Sequence, residues 1–264
     1  MLQKTFALTE RTLRVDARGV QGHILRFLLA GAVLLMLLVL GMERGASAPG
    51  QSLMYMLAYG NAVLITLVGP IFFGNCITEE KEERTLPLLM MADVGPLALL
   101  SGKVIPKLLT VLFIIAVQIP FTLLAITLGG VMLDQVLAVA LATAAHLIGI
   151  AGLGVLCSVI FRRSGNAIGM TGLVVFAHVV IAPLVWGIAG VFLAGPLRNA
   201  LWLELLTECV HAVVRTSVFA RLGEILGVGH SDGMFTSQVI SNILFGLFCF
   251  GLAWPLFDAC NQNL

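Results

Sequence analysis

Apolar residues in this chain come in long unbroken runs with short polar breaks between them, not at the spacings of an amphipathic helix or a half-buried strand. Six runs are close to or above the roughly 20 residues that carry an α-helix across a hydrocarbon core. They cover residues 24–42, 53–74, 108–129, 136–161, 167–193 and 238–257. Strands are far shorter, usually about five or six residues. The pattern therefore predicts an all-α integral membrane protein, with six transmembrane helices in a single transmembrane domain over residues 1–264. Ahead of the first run, residues 1–23 mix Lys4, Arg11, Arg14, Arg18 and His23 with Phe6, Leu8, Leu13, Val15 and Val20, as in an amphipathic interfacial helix. Ala46-Ser47-Ala48 copies a signal-peptidase site, but the preceding apolar run exceeds the roughly 7–15 residues of a signal core, so it is read as a retained span.

Composition agrees, with 59% hydrophobic and 11% charged residues and a mean hydropathy of +1.04. Soluble domains fall well short of this. Net charge is only +1, and the charges are sorted by side of the membrane instead of forming a patch, so no nucleic-acid partner is expected. Eleven of the 15 Lys and Arg residues fall on one side, and Arg44, Arg198, Arg215 and Arg221 on the other. The excess marks the cytoplasmic face, which places both termini and the 78–107 loop inside. Five scattered cysteines form neither a disulfide framework nor a metal spacing.

The 78–107 loop holds Glu79, Glu80, Lys81, Glu82, Glu83 and Arg84 in succession. At mid-bilayer those six charges would cost about 15–20 kcal/mol, so the stretch lies outside the hydrocarbon. The residues that follow are apolar again, with Leu88, Leu89, Met90 and Met91 broken by Gly95-Pro96, and Pro106 is read as the start of the next segment. Thr85 as N-cap with Pro87 in the first turn predicts two short helices between Thr85 and Leu100, whose apolar side needs a partner. The pliable pair Met90 and Met91 suits a groove on another protein.

Polar residues inside the spans are few: Asn61, Gln118, His146 and His178. An ionisable residue at such depth is a pathway candidate. With no carboxylate in any span to complete a relay, the simpler reading is a neutral histidine bonded to a neighbouring helix, each such bond contributing about 0.6–2 kcal/mol. In the long connection 195–236, Glu204, Glu208, His211 and Arg215 recur every three or four residues. They predict a polar stripe on a helix whose other faces hold Trp202, Leu205, Leu206, Val210 and Val213. Gly165 and Gly169 make a small-xxx-small pair.

With these residues in view, the chain resembles the permeases of ATP-binding-cassette (ABC) transporters of the type-2 exporter class. The family's loop after the second span carries an acidic-basic-acidic triplet, matched by Glu80, Lys81 and Glu82, then Thr85 and Leu86, Leu88 and Leu89, and Gly102 and Lys103. Two positions depart, since Arg84 stands where the family usually has Gly and Asp93 where it usually has Pro. The resemblance implies a multi-pass permease of the bacterial inner (plasma) membrane. It would export its cargo with a cytoplasmic ABC ATPase subunit and a second permease copy or paralogue, in contact with membrane lipid. It also implies an ATPase-coupling role for Glu80, Lys81, Glu82, Arg84, Thr85, Leu88, Leu89, Met90, Met91, Gly102 and Lys103, and an external gate at Trp202, Glu204, Glu208, His211 and Arg215.

No cofactor is expected on the chain itself. Val104 follows Gly102-Lys103 where a P-loop has Ser or Thr, so ATP and Mg belong to the partner ATPase and the chain is not an enzyme. A proton-coupled secondary transporter is the first alternative. The second rests on Glu79, Glu80 and Arg84, whose EExxxR pattern resembles the first motif of membrane-embedded CAAX-type proteases; that family's histidine patterns are missing around His146 and His178.

Overall fold

The computed structural model describes residues 31, 49–85, 91, 95–194, 201–227 and 233–261, and every element among them is helical. The expected interfacial helix 1–23 and first span 24–42 lie outside the described residues, apart from the helical backbone at Gly31. In chain order come α1 (Pro49–Gly74), α2 (Thr78–Glu82), α3 (Pro96–Ala116), α4 (Ile119–Thr127) and α5 (Leu133–Ile160). They are followed by α6 (Ser164–Phe176), a π-helical turn (Ala177–Ile181), α7 (Ala182–Ala194), α8 (Leu201–Val214), α9 (Val218–Gly227) and α10 (Ser237–Asn261). Five stretches, built on α1, α3 with α4, α5, α6 with α7, and α10, are long and apolar enough to cross a membrane. The chain is a multi-pass membrane protein.

Prolines set where the helices break. Pro96 takes the first turn of α3, where a missing N–H is harmless, and Gly95 precedes it as N-cap. Pro106 does not start a new segment; it is buried within α3. The expected second short helix before Leu100 is thus corrected, because residues from Pro96 onward are the first turns of a long helix. The break comes later, at Val117 and Gln118. Pro120 offers no N–H to the carbonyl of Ala116, the residue at which α3 ends. Pro183 likewise offers no N–H to the Val179 carbonyl, and there the helix widens into the π turn, whose bonds run from residue i+5.

The centre of the bundle is α5, whose apolar window is 67% buried against 11–39% for the other four. It runs parallel to both α1 and α10. Side chains added at Gly69 and Gly154 would meet Ile150 and Phe73. Along the other face, Gln238 Nε2 donates to Ala142 O at 3.2 Å, Gly149 lies against Asn242, and Gly152 against the backbone of Gly246. Glycine here lets two backbones approach within van der Waals contact, the packing that substitutes in lipid for a hydrophobic driving force. The small-xxx-small pair seen in the sequence plays no such part, since Gly165 and Gly169 have open space where a side chain would be.

Between the fourth and fifth of these stretches, α8 folds back along α7, with the His211 ring stacked on Trp186 at a centroid distance of 5.1 Å. Beyond α8 the chain turns at Thr216, and α9 returns to the end where α1 and α5 begin. There Gln51 Nε2 donates to Leu226 O at 3.0 Å and Gln135 Nε2 to Ile225 O at 3.1 Å. The helix predicted around the stripe is α8, with Glu208 and Arg215 exposed. His211 packs inward, while the apolar Trp202, Leu205, Leu206 and Val213 are exposed on the outside of the described chain. An apolar outer face is compatible with lipid, which does not force it inward.

Candidate functional site

Where α1 ends, the charged loop closes onto the ends of three other helices. The three residues of the acidic-basic-acidic triplet diverge because successive residues on the short helix α2 point about 100° apart. Glu80 pairs with Lys103 on α3 and also accepts a hydrogen bond from the Thr85 hydroxyl. Burial pushes its carboxyl up, but the Lys103 ammonium and the Thr85 hydroxyl more than offset this, leaving it below the ordinary value.

Lys81 is 8% exposed. Its Nζ donates to the carbonyls of Ser158, Val159 and Phe161 at 3.2, 2.5 and 3.1 Å. These are last-turn carbonyls of α5 or the residue just past it, which lack intrahelical partners and carry the negative end of the helix dipole. Burial lowers the Lys81 ammonium to about 8. Glu82 does the converse, since its Oε1 accepts from the backbone N–H of Ser164 at 2.7 Å, the first residue of α6. One cation thus caps the C-terminus of α5, and the next residue, an anion, caps the N-terminus of α6.

Residues that the sequence reading passed over complete the cluster. The buried Ser158 hydroxyl accepts from the N–H groups of Ile77 and Thr78 at 2.6 and 3.0 Å, and Ser164 Oγ donates to Thr78 Oγ1 at 3.0 Å. Lys107 Nζ donates to Phe72 O and Asn75 Oδ1 at 2.9 and 2.8 Å, capping α1. The only available sequence signal was position: serines and lysines bordering long apolar runs, where orphan backbone groups occur.

Arg84 forms no ion pair among the described residues. It ends α2 in a left-handed conformation, φ 56°. Thr85 N–H bonds Glu80 O at 3.0 Å and Arg84 N–H bonds Lys81 O at 3.3 Å. This is the Schellman arrangement, which favours glycine because a Cβ in that region is strained by about 1–2 kcal/mol. Arg84→Gly is expected to raise stability by about 1 kcal/mol, whereas Arg84→Ala, which keeps the Cβ, should leave it nearly unchanged. Thermal unfolding of the three proteins in detergent would show it; equal midpoints would mean the turn is unstrained.

Of the other coupling residues, Gly102 is buried in α3 and Met91 is exposed, while Leu88, Leu89 and Met90 lie outside the described residues. The four intramembrane polar residues are not brought together. His146 and His178 line one cavity of about 420 Å³, which neither Asn61 nor Gln118 lines. The side-chain oxygens of Asn61 and Gln118 are buried without partners. His146 Nε2 lies 3.1 Å from Thr66 Oγ1, whose own proton goes to Ala62 O at 2.6 Å, so the histidine is the donor. Among the described residues no carboxylate lines that cavity. Among the described residues the protease geometry is likewise missing: Glu79 bonds Asn75 and Glu80 pairs with Lys103, at the loop end and not in the cavity with the histidines. Of the expected gate residues, Trp202, Glu208 and Arg215 are exposed and His211 is half-buried; the Glu204 side chain lies outside the described residues.

The family model described as ABC-2 family transporter protein matches residues 41–254, covering the triplet, four of the described spans and most of the fifth. The chain belongs to the ABC-2 transporter family. No curated protein matches it. As an ABC-2 protein it is a membrane component of ABC transport with a permease role, and is not itself catalytic. The clamp of Glu80, Lys81 and Glu82 is then a feature of how this ABC-2 chain ties its charged loop to the bundle.

Proposed function

We propose that the chain is the membrane-spanning permease subunit of an ATP-driven exporter. ATP and Mg would be bound by a separate cytoplasmic ATPase, and a second permease copy or paralogue would complete the pathway. On this reading the bundle has six spans with both termini cytoplasmic, the 78–107 loop faces the ATPase, and the α8–α9 hairpin is the external gate. The supporting observation is that three consecutive residues, Glu80, Lys81 and Glu82, hold three different helices. A displacement of the apolar segment after Arg84 passes to α3, α5 and α6 together instead of being absorbed by a slack loop. Nucleotide drives the change only if the two conformations bind the ATPase differently.

The test is co-purification from native membranes with a tagged chain. An ABC ATPase is expected to accompany it, and to be lost from Leu88→Asp/Met91→Asp while the chain still folds. Recovery of the wild-type chain alone at every ATP concentration would defeat the reading.

A further inference from the structure

The cavity of about 420 Å³ that holds both intramembrane histidines falls in the size range of small-molecule sites, about 300–1,000 Å³. It has a polar end and an apolar end. On α5 His146 is followed by Ile150 and Leu153, and on α10 Ser241 and Asn242 are followed by Phe245. On α6, which runs opposite to α5, the order reverses, with Val174 and Val175 one turn before His178. The polar residues therefore share one level, closed by Thr216, and the apolar ones lie deeper, toward the charged loop. His178 sits in the π turn, a local widening that recurs at functional sites.

At the polar end the hydrogens are already committed within the chain. His146 gives its Nε2 proton to Thr66 Oγ1, and His178 is hydrogen-bonded to the backbone of Thr216, whose own N–H goes to Val213 O. Asn242 Nδ2 donates to Thr216 O and Gln238 O at 2.8 and 2.9 Å, Ser241 Oγ to Gln238 O at 3.1 Å, and Thr216 Oγ1 to Val213 O at 2.7 Å.

What remains is lone pairs: Nδ1 of His146, the second ring nitrogen of His178, and Asn242 Oδ1, which faces the bare backbone of Gly149, another lining residue. His146 is 3% exposed, and its Nδ1 has no partner in the chain. Among the described residues the unpartnered oxygens that are sealed off belong to Asn61, Gln118, Ser217, Thr236 and Gln238, none of which lines the cavity, so the acceptors here are reachable. An occupant must bring a donor. An anion or a bare carbonyl would meet only lone pairs, and a cation would lose its hydration with no carboxylate among the described lining residues to replace it. An uncharged hydroxyl fits both conditions, with hydrocarbon along the apolar walls. The exposed, apolar Val213 and Phe245 at the edge suit entry from lipid.

We infer that this cavity binds an uncharged apolar alcohol, its hydroxyl donating to His146 Nδ1 and its hydrocarbon lying against Ile150, Leu153 and Val174. The site lies within one chain and needs no ATPase, so a chain that recruits none still binds the alcohol.

Photolabelling of the full chain in detergent with a hexadecanol that carries a mid-chain diazirine tests it, adducts being located by peptide mass spectrometry. Adducts are expected on α5, α6 and α10. Unlabelled hexadecanol should compete about tenfold better than its methyl ether, which has no donor; tenfold is about one hydrogen bond. Ionised hexadecanoate and hexadecylammonium should compete no better than the ether. His146→Phe removes the acceptor while Thr66 keeps its bond to Ala62 O, and should erase the preference for alcohol over ether. Val174→Trp, which fills the cavity, should cut labelling about tenfold with helicity unchanged. Equal competition by alcohol and ether in the wild type, which needs no variant, overturns the inference, as does a preference that survives His146→Phe or labelling that ignores Val174→Trp. Stronger competition by either ion overturns the uncharged class, and chain-to-chain crosslinks through Phe245 in place of adducts would give the cavity to a second copy.

Discussion

Lys81→Met lowers the unfolding free energy by about 2–4 kcal/mol in detergent, with Lys81→Gln intermediate. Methionine fills nearly the same volume but has no donor, so the carbonyls of Ser158, Val159 and Phe161 lose their shared partner. Ser158 and Val159 are 0% exposed, which keeps water from replacing the ammonium. A buried acceptor left unpaired costs about 1–3 kcal/mol, and two or three such losses exceed the relief from no longer burying a charge. Glutamine restores one or two of the bonds.

The pH dependence has a definite sign. Burial lowers the folded Lys81 to about 8 from the ordinary 10.5. Between those values the unfolded chain holds a proton that the folded chain has released, so this group's contribution to stability increases with pH across the window. The wild type should gain on Lys81→Met from about pH 8 to 10.5 and show a constant difference below it. Chemical unfolding of both proteins across that range measures this, and a methionine variant as stable as the parent at neutral pH would remove the capping role.

Gly152→Val is the second large effect, a loss of about 3 kcal/mol or more, with reduced yield of folded protein. A Cβ at Gly152 would overlap the Gly246 backbone, and one at Gly246 would overlap that of Ile148, so neither α5 nor α10 can yield by a side-chain rotation. Overpacking a rigid contact typically costs about 1–3 kcal/mol, and here the obstacle is main chain in the most buried helix of the bundle. Gly169→Val, with open space around it, is the control and should change little within the isolated chain. Comparable unfolding midpoints for the two variants would show that α5 and α10 pack less closely than described.

Much of the loop's importance was legible before its partners were. Six charges in succession must leave the hydrocarbon, which located the loop, and the resemblance to type-2 exporter permeases singled out Glu80, Lys81 and Glu82 within it. Their partners could not, because they are mostly helix ends. Lys81 serves carbonyls 77–80 residues away and Glu82 an N–H 82 residues away. Main-chain groups leave no mark in a residue pattern, so a reading that looks for opposite charges finds only Lys103 for Glu80. Pro106 misled for a related reason. Proline signals a lost hydrogen bond, but whether the helix bends, breaks or continues depends on what packs around it, and Pro106 is buried while Pro120 ends α3.

By itself the sequence determined that this is an all-helical, multi-pass membrane protein, and where its apolar stretches lie. That follows because the match between an apolar run and the bilayer thickness is one-dimensional and local. Only the tertiary structure decided that α1, α5 and α10 run side by side, which glycines face backbone and which face open space, and which helix end each charge caps. Lipid is as apolar as leucine, so hydrophobicity says nothing about which helices touch. That choice fell to close backbone contacts and to polar groups that had to find partners inside the bundle.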